Sequence, residues 1–223
     1  MIAWELLDRA RVPGNNTKLC LFKRGREFSI RTNGRELMNS RLHGSEEALS
    51  ELACARIADR PRARVLIGGL GMGFTLAAAL KRLGPECRVE VAELAPQVVA
   101  WNQGPLAHLA GRPLADKRVT VFEKDVVVLL KEGRTAYDVI LLDVDNGPDA
   151  LSSEGNAWLY SRSGLAAVYA ALRNGGVLAV WSAGPDRAFA GRLRRQGFSV
   201  EEIRVSARKL GKGGHHTIWI AAR

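Results

Sequence analysis

The spacing of hydrophobic and polar positions in this 223-residue chain becomes regular from Arg64 onward. Short apolar runs there are followed by stretches with apolar residues at helical spacing, a pattern that predicts alternating strands and helices. Strands are predicted at residues 64–68, 88–93, 118–122, 138–143, 176–182, 197–204 and 215–222. Helices are predicted at residues 73–83, 95–108, 125–132, 160–173 and 186–195. Such alternation implies a parallel sheet with helices on both faces.

The last two predicted strands are separated by Gly211-Lys212-Gly213-Gly214, which is too short for a helix. We therefore expect them to form a hairpin, which places an antiparallel strand in an otherwise parallel sheet. The predicted fold class is α/β: a Rossmann-like, seven-stranded, mostly parallel sheet with helices on both faces and a C-terminal β-hairpin.

The N-terminal region has a different pattern and predicts a small β element at residues 1–44. Residues 18–23 and 27–31 have strand-like composition, and Asn33-Gly34 makes a turn after the second of them. This element precedes the strand–helix alternation.

A helix is predicted at residues 45–60, where the larger domain begins. Ser45 is a suitable N-cap, and Glu46 and Glu47 suit the first turn of a helix. The chain is therefore divided into the β element at 1–44 and a larger domain at 45–223.

Composition narrows the class of protein. The net charge of +10 leaves a nucleic-acid partner open. Aromatic residues are only 6% of the chain and are not interleaved with the basic ones, which favours a solvated basic surface. No apolar stretch is long enough to span a membrane and no signal peptide is evident, so a cytoplasmic protein is expected. The three cysteines lack metal-ligand spacing, and no metal site is predicted.

The most informative motif is the glycine-rich segment Val65-Leu-Ile-Gly-Gly-Leu-Gly-Met-Gly-Phe-Thr75. A strand leads into glycines that permit positive φ angles and close approach of a ligand to the backbone. The helix that follows offers unpaired N–H groups to a polar ligand. Gly69, Leu70, Gly71 and Gly73 are therefore predicted to bind a nucleotide-like cofactor.

Glu93 supports this prediction, because it ends the next strand about twenty residues after the loop, where a ribose-binding carboxylate is expected. The glycine spacing differs from the G-x-G-x-x-G pattern of dinucleotide-binding proteins, since Phe74 follows Gly73. It is similar to the first motif of class I S-adenosylmethionine-dependent transferases.

Acids that follow later strands are expected at the same site, because ligands of open α/β sheets bind beyond the carboxyl ends of the strands. Asp125, beside Val126, has two open roles: accepting from an adenine amino group and capping the next helix. Asp143 is predicted to act as a general base on an amine, or to orient an amine for attack on a sulfonium. Asp145 is the second predicted catalytic residue, although it and Asn146 could equally set turn geometry.

Together these segments resemble the spermidine synthase (aminopropyltransferase) family, which has the class I methyltransferase fold. The resemblance is carried by residues 67–73, Glu93, residues 124–126 and residues 143–148. It implies S-adenosylmethionine or decarboxylated S-adenosylmethionine as co-substrate, and a homodimer, since relatives are commonly dimers. The adenosyl-binding residues that it implies are Gly69, Leu70, Gly71, Gly73, Glu93, Asp125, Val126 and Asp143.

The chain also departs from the family pattern. The family's loop aspartate, which is associated with the aminopropyl amine, falls on Gly71, and the second aspartate of the catalytic loop is displaced. The tyrosine expected near residues 42–46 has no match, and His43 is a weak candidate for the site. The loss of the loop acid slightly favours intact S-adenosylmethionine as the donor.

The predicted function is transfer of a methyl or aminopropyl group to a small-molecule amine or related acceptor. An RNA or protein methyltransferase that uses the basic surface is the first alternative, and salt-dependent RNA binding would support it. A non-catalytic adenosyl-binding protein is the second, because the catalytic loop is altered.

Overall fold

The computed structural model describes residues 2–14, 17–144, 157–207 and 214–223. Its strands form two sheets. The small sheet is antiparallel and contains, in spatial order, β1 (Glu5–Arg11), β2 (Lys18–Arg24), β3 (Glu27–Thr32) and β4 (Arg35–Asn39). The strands of the large sheet are β5 (Arg64–Gly68), β6 (Arg88–Ala92), β7 (Val119–Phe122), β8 (Tyr137–Leu142), β9 (Leu172–Ser182), β10 (Ser199–Ser206) and β11 (His215–Ala222).

The strand order of the large sheet is β10-β11-β9-β8-β5-β6-β7. Strand β11 runs antiparallel to β10 and β9, and the other neighbouring pairs are parallel. The predicted fold class is therefore confirmed, including the seven strands and the C-terminal hairpin. Because β5 lies beside both β6 and β8, the chain reverses direction across the sheet next to the glycine-rich loop, which is where open α/β sheets bind ligands.

The helices are α1 (Gly44–Cys54), α2 (Phe74–Arg82), α3 (Pro96–Gln103), α4 (Val126–Glu132), α5 (Arg162–Ala171) and α6 (Arg187–Gln196). Alternate residues of the central strands enter two separate hydrophobic clusters. Val65 and Ile67 pack in the cluster that contains residues of α1, α2 and α3, whereas Leu66 packs in the one that contains residues of α4, α5 and α6. The period of two along each strand thus places helices on both faces, as predicted.

Several predicted helix bounds were too long. The helix predicted at 95–108 ends at Gln103, because Gly104 takes a non-helical conformation and the chain continues in turns. The helix predicted at 160–173 begins after its N-cap Ser161 and ends at Ala171, since Leu172 already belongs to β9. The helix predicted at 45–60 ends at Cys54 and continues as a short 3₁₀ turn, Ala55–Ile57.

The small sheet has four strands where the sequence predicted two. Strand β1 escaped detection because Leu6 and Leu7 are both exposed, so it lacks the alternation of a half-buried strand. The Asn33-Gly34 turn is confirmed, with φ angles of +47° and +76°. The division of the chain into domains at residue 45 stays a prediction.

Strand β1 is fixed to α3 by a polar contact. Asp8 Oδ2 accepts hydrogen bonds from Gln97 Nε2 at 2.6 Å and from Trp101 Nε1 at 2.8 Å, both on α3. The Trp101 hydrogen bond is the largest of the effects that lower the pKa of Asp8. Strands β2 and β3 add Leu21 and Phe28 to the same hydrophobic cluster as α3. No helix among the described residues has the length and apolar character needed to cross a membrane.

Candidate active site

The glycine-rich loop joins β5 to α2 and has the backbone conformation predicted for it. Gly69, Gly71 and Gly73 have φ angles of +89°, +54° and +81°. A Cβ at Gly69 would overlap the backbone oxygen of Asp143, so this position requires glycine for space as well as for conformation. Asn102 on α3 stabilises the loop, because its Nδ2 donates a hydrogen bond to the Gly71 oxygen at 2.8 Å.

Glu93 lies directly against this loop. Its Oε2 accepts a hydrogen bond from the backbone N–H of Leu70 at 2.9 Å, and its Oε1 accepts from that of Ala95, also at 2.9 Å. Burial raises the pKa of this carboxyl, while the backbone N–H groups act in the opposite direction. The structure therefore brings Glu93 and the loop together, as the predicted ribose site requires.

Asp143 follows the last residue of β8 and lies on the other side of the loop. Its backbone N–H donates to the Gly68 oxygen at 3.0 Å, and its Oδ2 accepts a hydrogen bond from Thr75 Oγ1 at 2.5 Å. Burial raises the pKa of Asp143 to about 6, although the Thr75 hydrogen bond acts to lower it. A carboxyl with such a pKa is suited to accept a proton near neutral pH.

Glu46, in the first turn of α1, is a second acid at this place. Burial, followed by the negative charge of Asp143, raises the pKa of Glu46 to about 7. The two carboxyl groups line the same pocket, and mutual repulsion disfavours full ionisation of both. They form what we call the acid pair, Glu46 and Asp143.

The acid pair lies in a narrow cleft between the glycine-rich loop, β4 and α1, with a cavity volume of about 10 Å³. The described residues that line the cleft are Met38, Asn39, Glu46, Leu70, Gly71, Met72, Phe74, Thr75 and Asp143. Lysine and arginine are absent from this described lining, so its ionisable groups are the acid pair. A positively charged ligand is therefore favoured here, in spite of the net charge of +10 on the whole chain.

A larger surface cleft of about 520 Å³ lies at the opposite edge of the sheet, where β5 and β8 begin. Its central carboxylate, Asp138, is buried and paired with Arg60 and Arg173, each at 2.7 Å. Its Oδ2 also accepts from the backbone N–H of Arg64 at 2.8 Å. These contacts join the chain segments at this edge, and they account for Asp138 as a structural residue.

The remaining predicted residues have different positions. Asp125 caps α4, where its Oδ1 accepts from the Val127 N–H at 2.9 Å; its adenine-binding role stays a prediction. Val126 is buried, and its Cγ2 lies 3.1 Å from where a Cβ on Gly68 would be. Asp145 and Asn146 lie outside the described residues.

His43 approaches the site indirectly. Its ring stacks on that of Phe74, with 4.0 Å between the ring centroids and an interplanar angle of 11°. Its Nδ1 lies 3.2 Å from Glu47 Oε1. His43 thus supports Phe74, which lines the cleft. Among the described residues, no group of three or more His, Cys, Asp or Glu side chains is placed to hold a metal ion.

Sequence reasoning missed six of the described residues that line the cleft, among them Thr75, Glu46 and Met38. Thr75 is inside the glycine-rich motif, and its hydroxyl in the first turn of α2 was a signal that could have been used. Glu46 was interpreted only as a first-turn acid of a helix, which it also is. Met38 is on β4, a strand that the sequence did not predict, so no local signal placed it near the loop.

Residues 44–185 match the spermine/spermidine synthase domain. A polyamine aminopropyltransferase from Corynebacterium efficiens is 32% identical over 129 residues, which are 56% of this chain and 24% of that protein. The chain therefore spans about a quarter of the length of this curated relative.

Solved structures share the fold at low sequence identity. A spermidine synthase from Thermotoga maritima has a TM-score of 0.75 at 17% identity, covering 97% of this chain and 72% of that one. An O-methyltransferase family protein from Burkholderia thailandensis has a TM-score of 0.56 at 20% identity, covering 80% and 55%. Because the domain match includes well over half of the residues, this chain belongs to the spermine/spermidine synthase family.

Proposed function

We propose that this protein is an aminopropyltransferase, which transfers the aminopropyl group of decarboxylated S-adenosylmethionine to a small-molecule amine. The observation that carries the proposal is the acid pair beside the glycine-rich loop, in a cleft whose described lining has no basic side chain. Decarboxylated S-adenosylmethionine has a sulfonium and an ammonium group and no carboxylate. Intact S-adenosylmethionine would bring its carboxylate close to Glu46 and Asp143, where like charges repel.

The loop and Glu93 fit the adenosyl end of such a donor. The carboxylate of Glu93 is held by two backbone N–H groups and so presents its remaining lone pairs in a fixed direction. Ribose hydroxyls can donate to those lone pairs. A spermidine synthase of the same fold has been solved with the transition-state analogue AdoDATO, which supports an adenosyl ligand at this place.

The proposed reaction needs few catalytic groups. The nitrogen lone pair of the acceptor amine attacks the carbon bonded to sulfur, the C–S bond breaks, and its electron pair remains on sulfur as methylthioadenosine. The new ammonium then loses one proton. Asp143 is the proposed acceptor of a proton from the amine, because its raised pKa makes it a competent base near neutral pH. Most of the remaining rate enhancement comes from the positioning of the two substrates.

The donor is tested first by calorimetric binding of decarboxylated S-adenosylmethionine, S-adenosylmethionine and methylthioadenosine. We expect the decarboxylated donor to bind at least tenfold more tightly than S-adenosylmethionine. Preference for S-adenosylmethionine would contradict aminopropyl transfer and indicate a methyltransferase. Binding of none of the three would overturn the adenosyl site itself.

The reaction is tested by mass spectrometry of the products formed from the decarboxylated donor and a series of linear mono- and diamines. We expect addition of one aminopropyl group and formation of methylthioadenosine. The Asp143→Asn variant should bind methylthioadenosine as the wild type does but turn over about 10²–10⁴-fold more slowly, the usual contribution of a general base. Full activity of this variant would remove Asp143 from catalysis. The homodimer and the cytoplasmic location stay predictions.

A further inference from the structure

A chain of hydrogen bonds leads from the acid pair away from the cleft. Ser45 Oγ lies 2.7 Å from Glu46 Oε2 and 2.8 Å from His216 Nδ1, and Ser45 is fully buried. We propose that Glu46, Ser45 and His216 form a proton relay, which carries the proton released by the acceptor amine out of the cleft. This proposal rests on the proposed transferase function, because it assigns a path to a proton that this reaction releases.

The hydroxyl of Ser45 can serve both ends because it is donor and acceptor at once. When Glu46 is ionised, Ser45 donates to its carboxylate, and Ser45 Oγ accepts from the Nδ1–H of His216. When Glu46 is protonated, its O–H donates to Ser45, whose own proton then points to an unprotonated Nδ1. Passage of one proton from Glu46 to His216 therefore needs only a reversal of these two hydrogen bonds, with no movement of heavy atoms.

The starting point of the relay is fixed by the acid pair. Once Asp143 has taken a proton from the amine, binding of a second proton by the acid pair is less favourable. Asp143 must therefore lose its proton before the next turnover. Glu46 lies in the same cleft, and burial together with the charge of Asp143 raises its pKa to about 7, so Glu46 can take up a proton in this cleft near neutral pH. Its hydrogen-bond partner Ser45 also contacts His216 on β11, and so leads away from the cleft.

The end point is a histidine in surroundings that keep it neutral. Burial, followed by the charge of His215, lowers the pKa of His216. The groups around it are His215 on its own strand, Ser45 and then Glu46 on α1, Trp181 on β9 at a centroid distance of 4.7 Å, and Val205 as its register partner on β10. A neutral imidazole can take a proton at Nδ1 and release another from Nε2, which a merely structural hydrogen-bond partner need not do.

Variants can distinguish a proton relay from hydrogen bonds that only hold α1 in place. His216→Asn keeps a hydrogen-bonding atom near the position of Nδ1 but cannot pass on a proton, and Ser45→Ala removes the hydroxyl between the two ends. Ser45→Thr retains that hydroxyl, and His215→Asn is the matched control on the exposed neighbour. All four should bind methylthioadenosine within about twofold of the wild type, as judged by calorimetry.

We expect His216→Asn and Ser45→Ala to lower kcat by about tenfold or more, with KM for the donor unchanged and partial rescue by added imidazole for His216→Asn. Ser45→Thr and His215→Asn should retain most of the wild-type kcat. Equal kcat values for His216→Asn and His215→Asn would overturn the relay. Loss of methylthioadenosine binding together with kcat would also overturn it, because the chain would then be structural.

The hydrogen-bonded connection has a test that needs no turnover. The ¹⁵N resonances of His216 are followed by NMR through a pH titration of the wild type and of Glu46→Gln. We expect the titration of His216 to move to lower pH in Glu46→Gln, because a carboxylate connected through Ser45 favours the imidazolium. An unchanged titration would overturn the relay. A changed titration in a protein that transfers no aminopropyl group would contradict the proposed function and leave the connection standing.

Discussion

The side chain of Met38 lies over Gly71, so that a Cβ on Gly71 would be 3.0 Å from both the Sδ and the Cε of the methionine. Met38 thus fills the space beside the loop at the position where the family has an aspartate. The end of a methionine side chain is flexible and can move. The φ angle of +54° at Gly71 is also one that aspartate adopts more readily than most residues.

We therefore predict that Gly71→Asp folds and binds decarboxylated S-adenosylmethionine more tightly, by about tenfold, which is about 1.4 kcal/mol. The affinity for uncharged methylthioadenosine should change much less. Gly71→Ala is the matched control, because it introduces the same Cβ and backbone strain without a charge. Calorimetry with both ligands measures the difference, and equal effects of the two substitutions would contradict a role for charge at this position.

Glu93→Ala is predicted to weaken binding of methylthioadenosine by about 1–3 kcal/mol, the usual cost of leaving a hydrogen-bonding partner unmatched. The substitution also leaves the N–H groups of Leu70 and Ala95 without their carboxylate. Glu93→Gln keeps the size of the side chain and one acceptor oxygen, so it should lose less affinity. Calorimetry on both variants tests this order; unchanged affinity in Glu93→Ala would remove the ribose assignment.

The sequence was sufficient for the parts of the site that lie within single segments. The glycines at 69, 71 and 73 and the acids Glu93 and Asp143 follow strands whose apolar runs are unmistakable, and parallel strands bring their carboxyl ends together. This is why the sequence could predict that the glycine-rich loop and these two acids lie together.

The acid pair could not be predicted in this way, because it depends on contact between distant segments. Glu46 reaches Asp143 only after α1 has packed against the large sheet, and Met38 reaches Gly71 only through β4, a short strand with exposed residues. Neither contact leaves a periodic signal in the sequence. The overall charge of +10 also pointed away from a cation site, because a sum over the surface does not describe a cleft with two acids.

Asp8→Ala is predicted to lower the free energy of unfolding by about 1–3 kcal/mol, since it leaves the indole N–H of buried Trp101 without its acceptor. Urea denaturation monitored by tryptophan fluorescence measures the change. Glu5→Ala is the control, because Glu5 is exposed on the same strand. A loss of stability no larger than that of the control would mean that the contact between β1 and α3 adds little.

Glu46→Gln is predicted to stabilise the protein at pH 8 and to leave its stability unchanged at pH 4. Folding raises the pKa of Glu46 from 4.5 to about 7, so the folded state holds its proton more tightly than the unfolded state. Below pH 4.5 both states are protonated and the group has no effect on stability. As the pH rises from 4.5 to 7, the unfolded state ionises first, and the folded state becomes progressively less stable because of this group.

At pH 8 the whole loss of folding free energy caused by ionisation of Glu46 is present in the wild type and absent in Glu46→Gln. The amide oxygen of the glutamine can still accept a hydrogen bond from Ser45. The expected gain is about 3 kcal/mol, a rise in Tm of about 6–12 °C for a chain of this size. Glu201→Gln is the control of opposite sign, because the ion pair with Arg56 lowers the pKa of Glu201. It should slightly destabilise the protein above pH 4.5. Scanning calorimetry at pH 4, 6 and 8 measures the difference, and equal Tm values for the wild type and Glu46→Gln at pH 8 would show that folding does not raise the pKa of Glu46.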